Sequence, residues 1–276
     1  MKQRTKKLMA VMLSVAMSAS MLPAQAIVAA PTSGVTFTEA QDIQVSHYGE
    51  ERSTLFNDGW KFSLGRSSSA YRPEFNDADW ENVTLPHDFS IFQNFTPSGE
   101  AESGFLPGGT GWYRKSFTLP ESCAGKRMVL NFDGVYSHAA VYVNGTKVGE
   151  HHYGYTAFAF DITDYVKCDG SSEIAVEAVN NIPSSRWYSG SGIYRDVTLL
   201  VTDPVHVALN GTFVTTPNLK DSSGTDGTVK VAVDVQNDST ASANVTVRNT
   251  VYEKDGTTAV ATDSATASVE AGATVT

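Results

Sequence analysis

From Leu55 onward apolar and polar residues alternate in short runs broken by glycine, asparagine and proline, the period-two pattern of strands with one buried face. "KRMVLNFD" at 126–133 alternates in this way. "AAVYVNGTKVGEH" at 139–151 reads as two strands joined through Asn144-Gly145, a dipeptide that tolerates the positive φ angles of a two-residue hairpin. "SEIAVEAVN" at 172–180 and "IYRDVTLLVT" at 193–202 supply two more strands. No stretch keeps a helical period for three turns, and one short helical turn is predicted at "ITDYVK", 162–167, with Thr163 capping the amides that follow. The chain therefore reads as all-β, and the number and spacing of strands, with long loops between some of them, favour a jelly-roll sandwich.

The pattern changes near Thr202-Asp203-Pro204. Before it the strands are rich in Trp, Tyr and Phe; after it "VKVAVDVQN", "ANVTVRNTVYEKDG" and "ATASVEAGATV" are strands of valine, threonine and alanine spaced like an immunoglobulin-type sandwich. The predicted domains are thus a jelly roll over 51–203 and an immunoglobulin-like sandwich over 204–276. The second is read as incomplete, because Val205–Thr276 is 72 residues against the roughly 100 of a whole sandwich.

The amino terminus obeys a different rule. Lys2, Arg4, Lys6 and Lys7 precede an apolar run from Leu8, and Ala24-Gln25-Ala26 or Val28-Ala29-Ala30 offers small residues for cleavage, which reads as a secretory signal peptide within residues 1–30. An uncleaved membrane anchor is the alternative. The polar stretch 31–50 reads as a linker. The implied product is secreted or held at the cell surface of a bacterium, and no later run is apolar for long enough to span a membrane.

Charge narrows the partners. Loss of residues 1–26 removes four positive charges and no negative ones, so the formal net charge of −10 deepens to −14. Such a surface argues against nucleic acid and leaves neutral sugars unaffected. Two cysteines, Cys123 and Cys168, are too few for a disulfide framework or a structural zinc site, and whether they pair is open. No motif calls for a cofactor or a metal, and His151-His152-Tyr153 reads as a loop on the sandwich rim.

The densest chemistry lies in "SSRWYSGSGIYRDVTL", Ser184–Leu199. Aromatic faces with arginine forks suit a ring-shaped polar ligand, since the faces cover C–H surface while guanidinium donates hydrogen bonds in fixed directions; the same mixture also suits a protein interface. "LPHDFS" adds His87 and Asp88 in a loop opened by Pro86, where structural bonding competes with a ligand-facing role. In "GGTGWYRKSF" the glycines permit close backbone approach and Trp112 is expected to pack inward.

Read in order, "FNDGWKFSLG", "FNDADWENVTLPHDFSI", "GGTGWYRKSFTLP", "VLNFDGVYSHAAVYVNGTKVGEHHYGYTAFAFDITDYV" and "SSRWYSGSGIYRDVTL" resemble the sugar-binding domain of glycoside hydrolase family 2, the β-galactosidase and β-glucuronidase group. The resemblance runs continuously over about 55–202. It implies a jelly roll, then an immunoglobulin-like sandwich, then a (β/α)₈ barrel that carries two catalytic glutamates and hydrolyses glycosides with retention. No barrel is recognised in these residues, so the resemblance carries no catalytic residue onto this chain and implies that the barrel of the same polypeptide is its partner. It implies that the Ser184–Leu199 loop reaches the rim of the sugar pocket. Ser185 and Arg186 then hydrogen-bond the terminal sugar, Trp187 or Tyr188 offers a face to its ring, His87 and Asp88 are further candidates, and Arg195 pairs with a carboxylate. Some family members carry an acidic residue near the position of Ser185, so this chain departs there. The motif style resembles bacterial β-galactosidases, which implies a β-galactoside-type glycan. A free-standing carbohydrate-binding module or a surface adhesin built of β-sandwiches are the competing readings.

Overall fold

The computed structural model describes residues 52–168, 170–218 and 227–276. The predicted leader and linker lie outside the described residues. The chain divides into two compact units at Thr202/Asp203.

In the first unit two antiparallel sheets face each other. One holds β1 (Ser53–Leu55), β10 (Val197–Thr202), β5 (Arg127–Phe132) and β8 (Phe158–Asp161), in that order. The other runs β3 (Glu81–Val83), β2 (Trp60–Leu64), β4 (Gly109–Leu119), β9 (Gly170–Asn180), β6 (His138–Val143) and β7 (Thr146–His151). Trp60, Phe62, Tyr113, Phe117, Val141 and Val176 from the larger sheet meet Leu130, Phe132, Val197 and Leu199 from the smaller in one buried cluster. This is the jelly roll that the alternation predicts, and β5 shows the period-two burial in full. The β6–β7 hairpin turns through Asn144 at φ 47° and Gly145 at φ 82°.

Strand β4 departs from simple alternation, since it is buried on both faces. The segment 66–80 covers the outer face of the larger sheet, and there Ala70, Tyr71, Phe75 and Trp80 pack with Trp112, Tyr142 and Ala175. Trp112 is therefore buried on this outer face and not between the sheets, because period two sends it opposite to Tyr113. The predicted short turn at 162–167 forms as a single turn, in which the Ile162 carbonyl accepts from the Tyr165 amide at 2.9 Å and from the Val166 amide at 3.2 Å. The capping differs from the expectation: Asp161 Oδ1 accepts from the Thr163 amide at 2.9 Å, while the Thr163 hydroxyl accepts from the Met128 amide at 2.9 Å on the neighbouring strand. Both cysteines are free thiols, Cys123 buried and Cys168 partly so. No helix among the described residues is long and apolar enough to cross a membrane.

The second unit consists of β11 (Val205–Thr215), β12 (Lys230–Asn237) and β15 (Thr274–Val275) in one sheet and β13 (Ala243–Tyr252) with β14 (Ala259–Val269) in another. Val205, Val207, Val233, Val235, Val245 and Val269 form its core. "ATASVEAGATV" is not one strand: it turns after Val269 through Gly272 at φ 71°, and β15 begins at Thr274. Asn237 fixes this turn by donating to the Val269 carbonyl at 2.9 Å, and its backbone carbonyl accepts from the Gly272 amide at 2.8 Å.

Candidate functional site

The loop between β9 and β10 is held at its base by buried polar groups and left open at its tip. Asp88 Oδ1 accepts the amides of Ser90 at 3.0 Å and Ser191 at 2.9 Å. Asn180 Nδ2 donates to the Gly190 carbonyl at 3.1 Å and to Ser191 Oγ at 2.8 Å, and Ser90 Oγ donates to Ser191 Oγ at 2.6 Å. Backbone bonds from His87 to Ile193 and between Tyr136 and Gly192 tie the same turn to two neighbouring segments. Gly192, at φ 103°, has no alternative: a Cβ there would lie 2.1 Å from the Tyr113 hydroxyl and 3.0 Å from the His87 carbonyl.

The tip meets a second loop, 152–155. The Trp187 indole donates to the Tyr155 hydroxyl at 2.9 Å, Tyr155 stands edge-on to Tyr136 with centroids 5.3 Å apart, and Tyr153 flanks Tyr155 at 5.8 Å. The Tyr136 hydroxyl reaches Ser184 Oγ at 3.4 Å, and the Tyr194 hydroxyl donates to the Gly154 carbonyl at 2.6 Å, which clamps the second loop. Burial raises the pKa of the Tyr155 phenol, ahead of the Trp187 bond that lowers it, so the hydroxyl stays neutral at ordinary pH. Between the loops lies a cavity of about 560 Å³. Its walls are Tyr136, Tyr153, Tyr155 and Trp187, with Ser184, Ser185, Arg186 and Asn181 along one side and His138 and His152 along another. Trp187 keeps 59% of its surface exposed and Tyr153 58%, so apolar ring faces stand ready for a ligand.

Of the residues singled out from sequence, Ser185, Arg186 and Trp187 line this cavity. Tyr188 does not line it; its hydroxyl donates to Asp88 Oδ2. Asp88 is thus the bracket of the loop. His87 is buried, with Nδ1 bonded to the Tyr113 hydroxyl at 2.9 Å and its ring between Phe62 and Phe92. Among the described residues Arg195 makes no ion pair, and it lies against the ring of Tyr194 at 5.8 Å. Tyr136, Tyr155 and His138 were not singled out, and His152 and Tyr153 were read only as a rim loop; the concentration of aromatic and imidazole rings around Gly154 in "HHYGYTAF" is the signal that marks the loop as part of a site.

Burial lowers the pKa of His87, outweighing the pull of Glu81 and Asp88 the other way. The folded state then takes up the proton less readily than the unfolded chain. Stability should be flat above the unfolded value near 6.5 and fall as pH drops below it, by at most about 1.4 kcal/mol per pH unit for a single proton. Melting scans from pH 7.5 to 5 should show this decline in the parent and a shallower one in His87→Gln; identical slopes would remove His87 from the acid sensitivity.

The family model for the sugar binding domain of glycosyl hydrolases family 2 matches residues 55–204, and a second model of glycosyl hydrolases family 2 matches 205–276. Beta-galactosidase BoGH2A of Bacteroides ovatus is 42% identical over 210 residues, which are 75% of this chain and 24% of that protein. A beta-glucuronidase of Formosa agariphila is 32% identical over 234 residues, 75% of this chain and 23% of its own length. Among solved structures, a beta-glucuronidase from glycoside hydrolase family 2 superposes with a TM-score of 0.74 at 29% identity, covering 81% of this chain and 26% of that one. The Bacteroides uniformis beta-glucuronidase gives a TM-score of 0.71 at 31% identity, again over 81% of this chain and 26% of the other. The chain spans about a quarter of the length of these relatives.

Proposed function

The chain belongs to glycosyl hydrolases family 2, and from that membership we propose that it is the amino-terminal, non-catalytic part of an exported, retaining β-galactosidase-like glycosidase. Its jelly roll supports a catalytic barrel carried elsewhere in the same polypeptide and lends one wall to the sugar pocket. The supporting observation is the aromatic cavity closed by the Trp187–Tyr155 bond. Exposed ring faces take the C–H side of a pyranose, and the hydroxyls of Ser184 and Ser185, the Asn181 amide and the Arg186 fork suit its oxygens. Tyr188, Asp88 and His87 then act through the frame that holds this wall.

Retaining hydrolysis needs a nucleophilic carboxylate and an acid/base carboxyl about 5 Å apart. Several acidic side chains among the described residues are held in structural contacts. Asp77 and Glu173 flank Arg114, Asp161 pairs with Arg127, Glu150 with Lys147, and Asn57 donates to Asp196. The 276-residue chain is therefore expected to release no nitrophenol from a nitrophenyl β-galactoside and to bind methyl β-galactoside with a dissociation constant of about a millimolar or weaker, since a half-site loses desolvation and orientation. Turnover by this chain, abolished by changing one of its own carboxylates, would overturn the division of labour.

A further inference from the structure

The two cysteines take no part in the cavity, and the fold brings both to one end of the sandwich. Strand β4 ends at Leu119, which pairs with Gly170 at the start of β9 and makes an isolated parallel bridge to Cys168. Beyond Leu119 the chain folds back through a 3₁₀ turn, Glu121–Cys123, in which the Cys123 amide donates to the Pro120 carbonyl at 2.9 Å and the Cys123 carbonyl accepts from the Lys126 amide at 3.0 Å. Cys123 is buried in the apolar cluster between the sheets, and the partly buried Cys168 packs against that same cluster. The thiols are close enough to sense each other's charge. Burial pushes the Cys123 thiol up to about 11 with Cys168 adding to the rise, and burial raises Cys168 as well. The chain holds no third cysteine. Among the described residues neither thiol joins a group of three His, Cys, Asp or Glu side chains that could hold a metal ion.

We infer that Cys123 and Cys168, free thiols in the structure, are a redox pair that a small disulfide oxidant closes into an intramolecular, stabilising disulfide. With oxidised glutathione as the oxidant, the more accessible Cys168 attacks as thiolate, displaces one glutathione thiolate and is left as a mixed disulfide. Cys123 then attacks the Cys168 sulfur and displaces the second glutathione. The two protein thiols give up two electrons and two protons, and one oxidised glutathione becomes two thiols. Because both thiols ionise only at raised pH, closure is slow near neutrality and quickens as pH rises. The bond joins positions 45 apart and encloses β5, β6, β7 and β8, the span that carries Tyr136 and the 152–155 wall of the cavity. Closing so long a loop restricts the unfolded chain, which is the source of the stabilisation. Export, as proposed above, would bring the pair to such oxidants, but the chemistry rests neither on export nor on the carbohydrate reading.

The test takes the fully reduced 276-residue chain and incubates it, folded, with oxidised glutathione at about pH 8.5, where more of the thiol is ionised. Thiol titration in denaturant should fall from two thiols per chain to none, and the mass should drop by two hydrogens with no glutathione attached. Peptide mapping should join the segments that hold Cys123 and Cys168, and non-reducing electrophoresis should show a single chain. Cys123→Ala should stop at the glutathione adduct on Cys168. The closed parent should melt about 5 °C or more above the reduced parent. Neither Cys123→Ala nor Cys168→Ala should gain from the oxidant, which separates the cross-link from the loss of a thiol. Two thiols that persist in the folded chain, a glutathione adduct that never closes, or chains linked to one another would overturn the inference. A closed chain that melts no higher than the reduced one would overturn it too.

Discussion

Replacing Arg114 by alanine is expected to cost the jelly-roll unit about 3–5 kcal/mol of unfolding free energy, the usual consequence of removing one partner from a buried charge network. Arg114 is 2% exposed in the middle of β4. Its Nε donates to Asp77 Oδ2 at 2.8 Å, one terminal nitrogen donates to the carbonyls of Ala70 and of Arg72, the latter at 3.0 Å, and the other meets Glu173 Oε1 at 3.1 Å. The guanidinium also lies over Phe75 at 5.5 Å. One side chain thus fastens the covering segment 66–80 to the face of the sheet that holds Trp112 and Tyr142. Without it Asp77 keeps Lys61, at 2.7 Å, but Glu173, whose carboxyl burial already pushes up, loses its cation. Urea unfolding should show the loss, with a melting temperature lower by roughly 10 °C or more for a unit of this size. Arg114→Lys should recover part of it, because the charge returns without the fork. A cost below about 1 kcal/mol would show that the segment is held by its aromatic contacts alone.

The second large effect concerns catalysis. In a polypeptide that carries these domains together with a catalytic barrel, Arg186→Ala should lower kcat/KM by about 10- to 100-fold, the loss of one charge-assisted contact worth about 1.5–3 kcal/mol. Trp187→Ala should fall in the same range, since it removes both a ring face and the bond that holds Tyr155. Tyr155→Phe keeps the face and loses only the bond, so its effect should be several-fold smaller. Unchanged kinetics in Arg186→Ala and Trp187→Ala would reduce this wall to scaffold.

The strands were legible because most bury one face: β5 and β6 alternate, and Asn144-Gly145 turns where the dipeptide says it should. Trp112 was harder, since its placement depends on the segment 66–80 folding back over the outer face, an event 30 or more residues away that no local period reports. The turn after Val269 was hidden because Glu270-Ala271-Gly272-Ala273 reads as a continuation of a small-residue strand. At the site, Ser185, Arg186 and Trp187 stood out by composition. Their opposite wall did not. Tyr136 and Tyr155 reach Trp187 and Ser184 from 32 to 48 positions away, so the cavity exists only once β6, β7 and β9 are paired. His87 and Asp88 look reactive as neighbours, but folding buries the one and spends the other on backbone amides.

Chemical-shift mapping of methyl β-galactoside on the 276-residue chain tests the carbohydrate site most directly. At ligand concentrations well above the dissociation constant, the shifts should concentrate on the Trp187 indole N–H, the amides of 184–187 and those of 153–155, with the Trp60 and Trp112 indoles unmoved. A sugar that binds while leaving the Trp187 indole and the 153–155 amides in place, or that moves residues of the second unit instead, would contradict the assignment of this cavity.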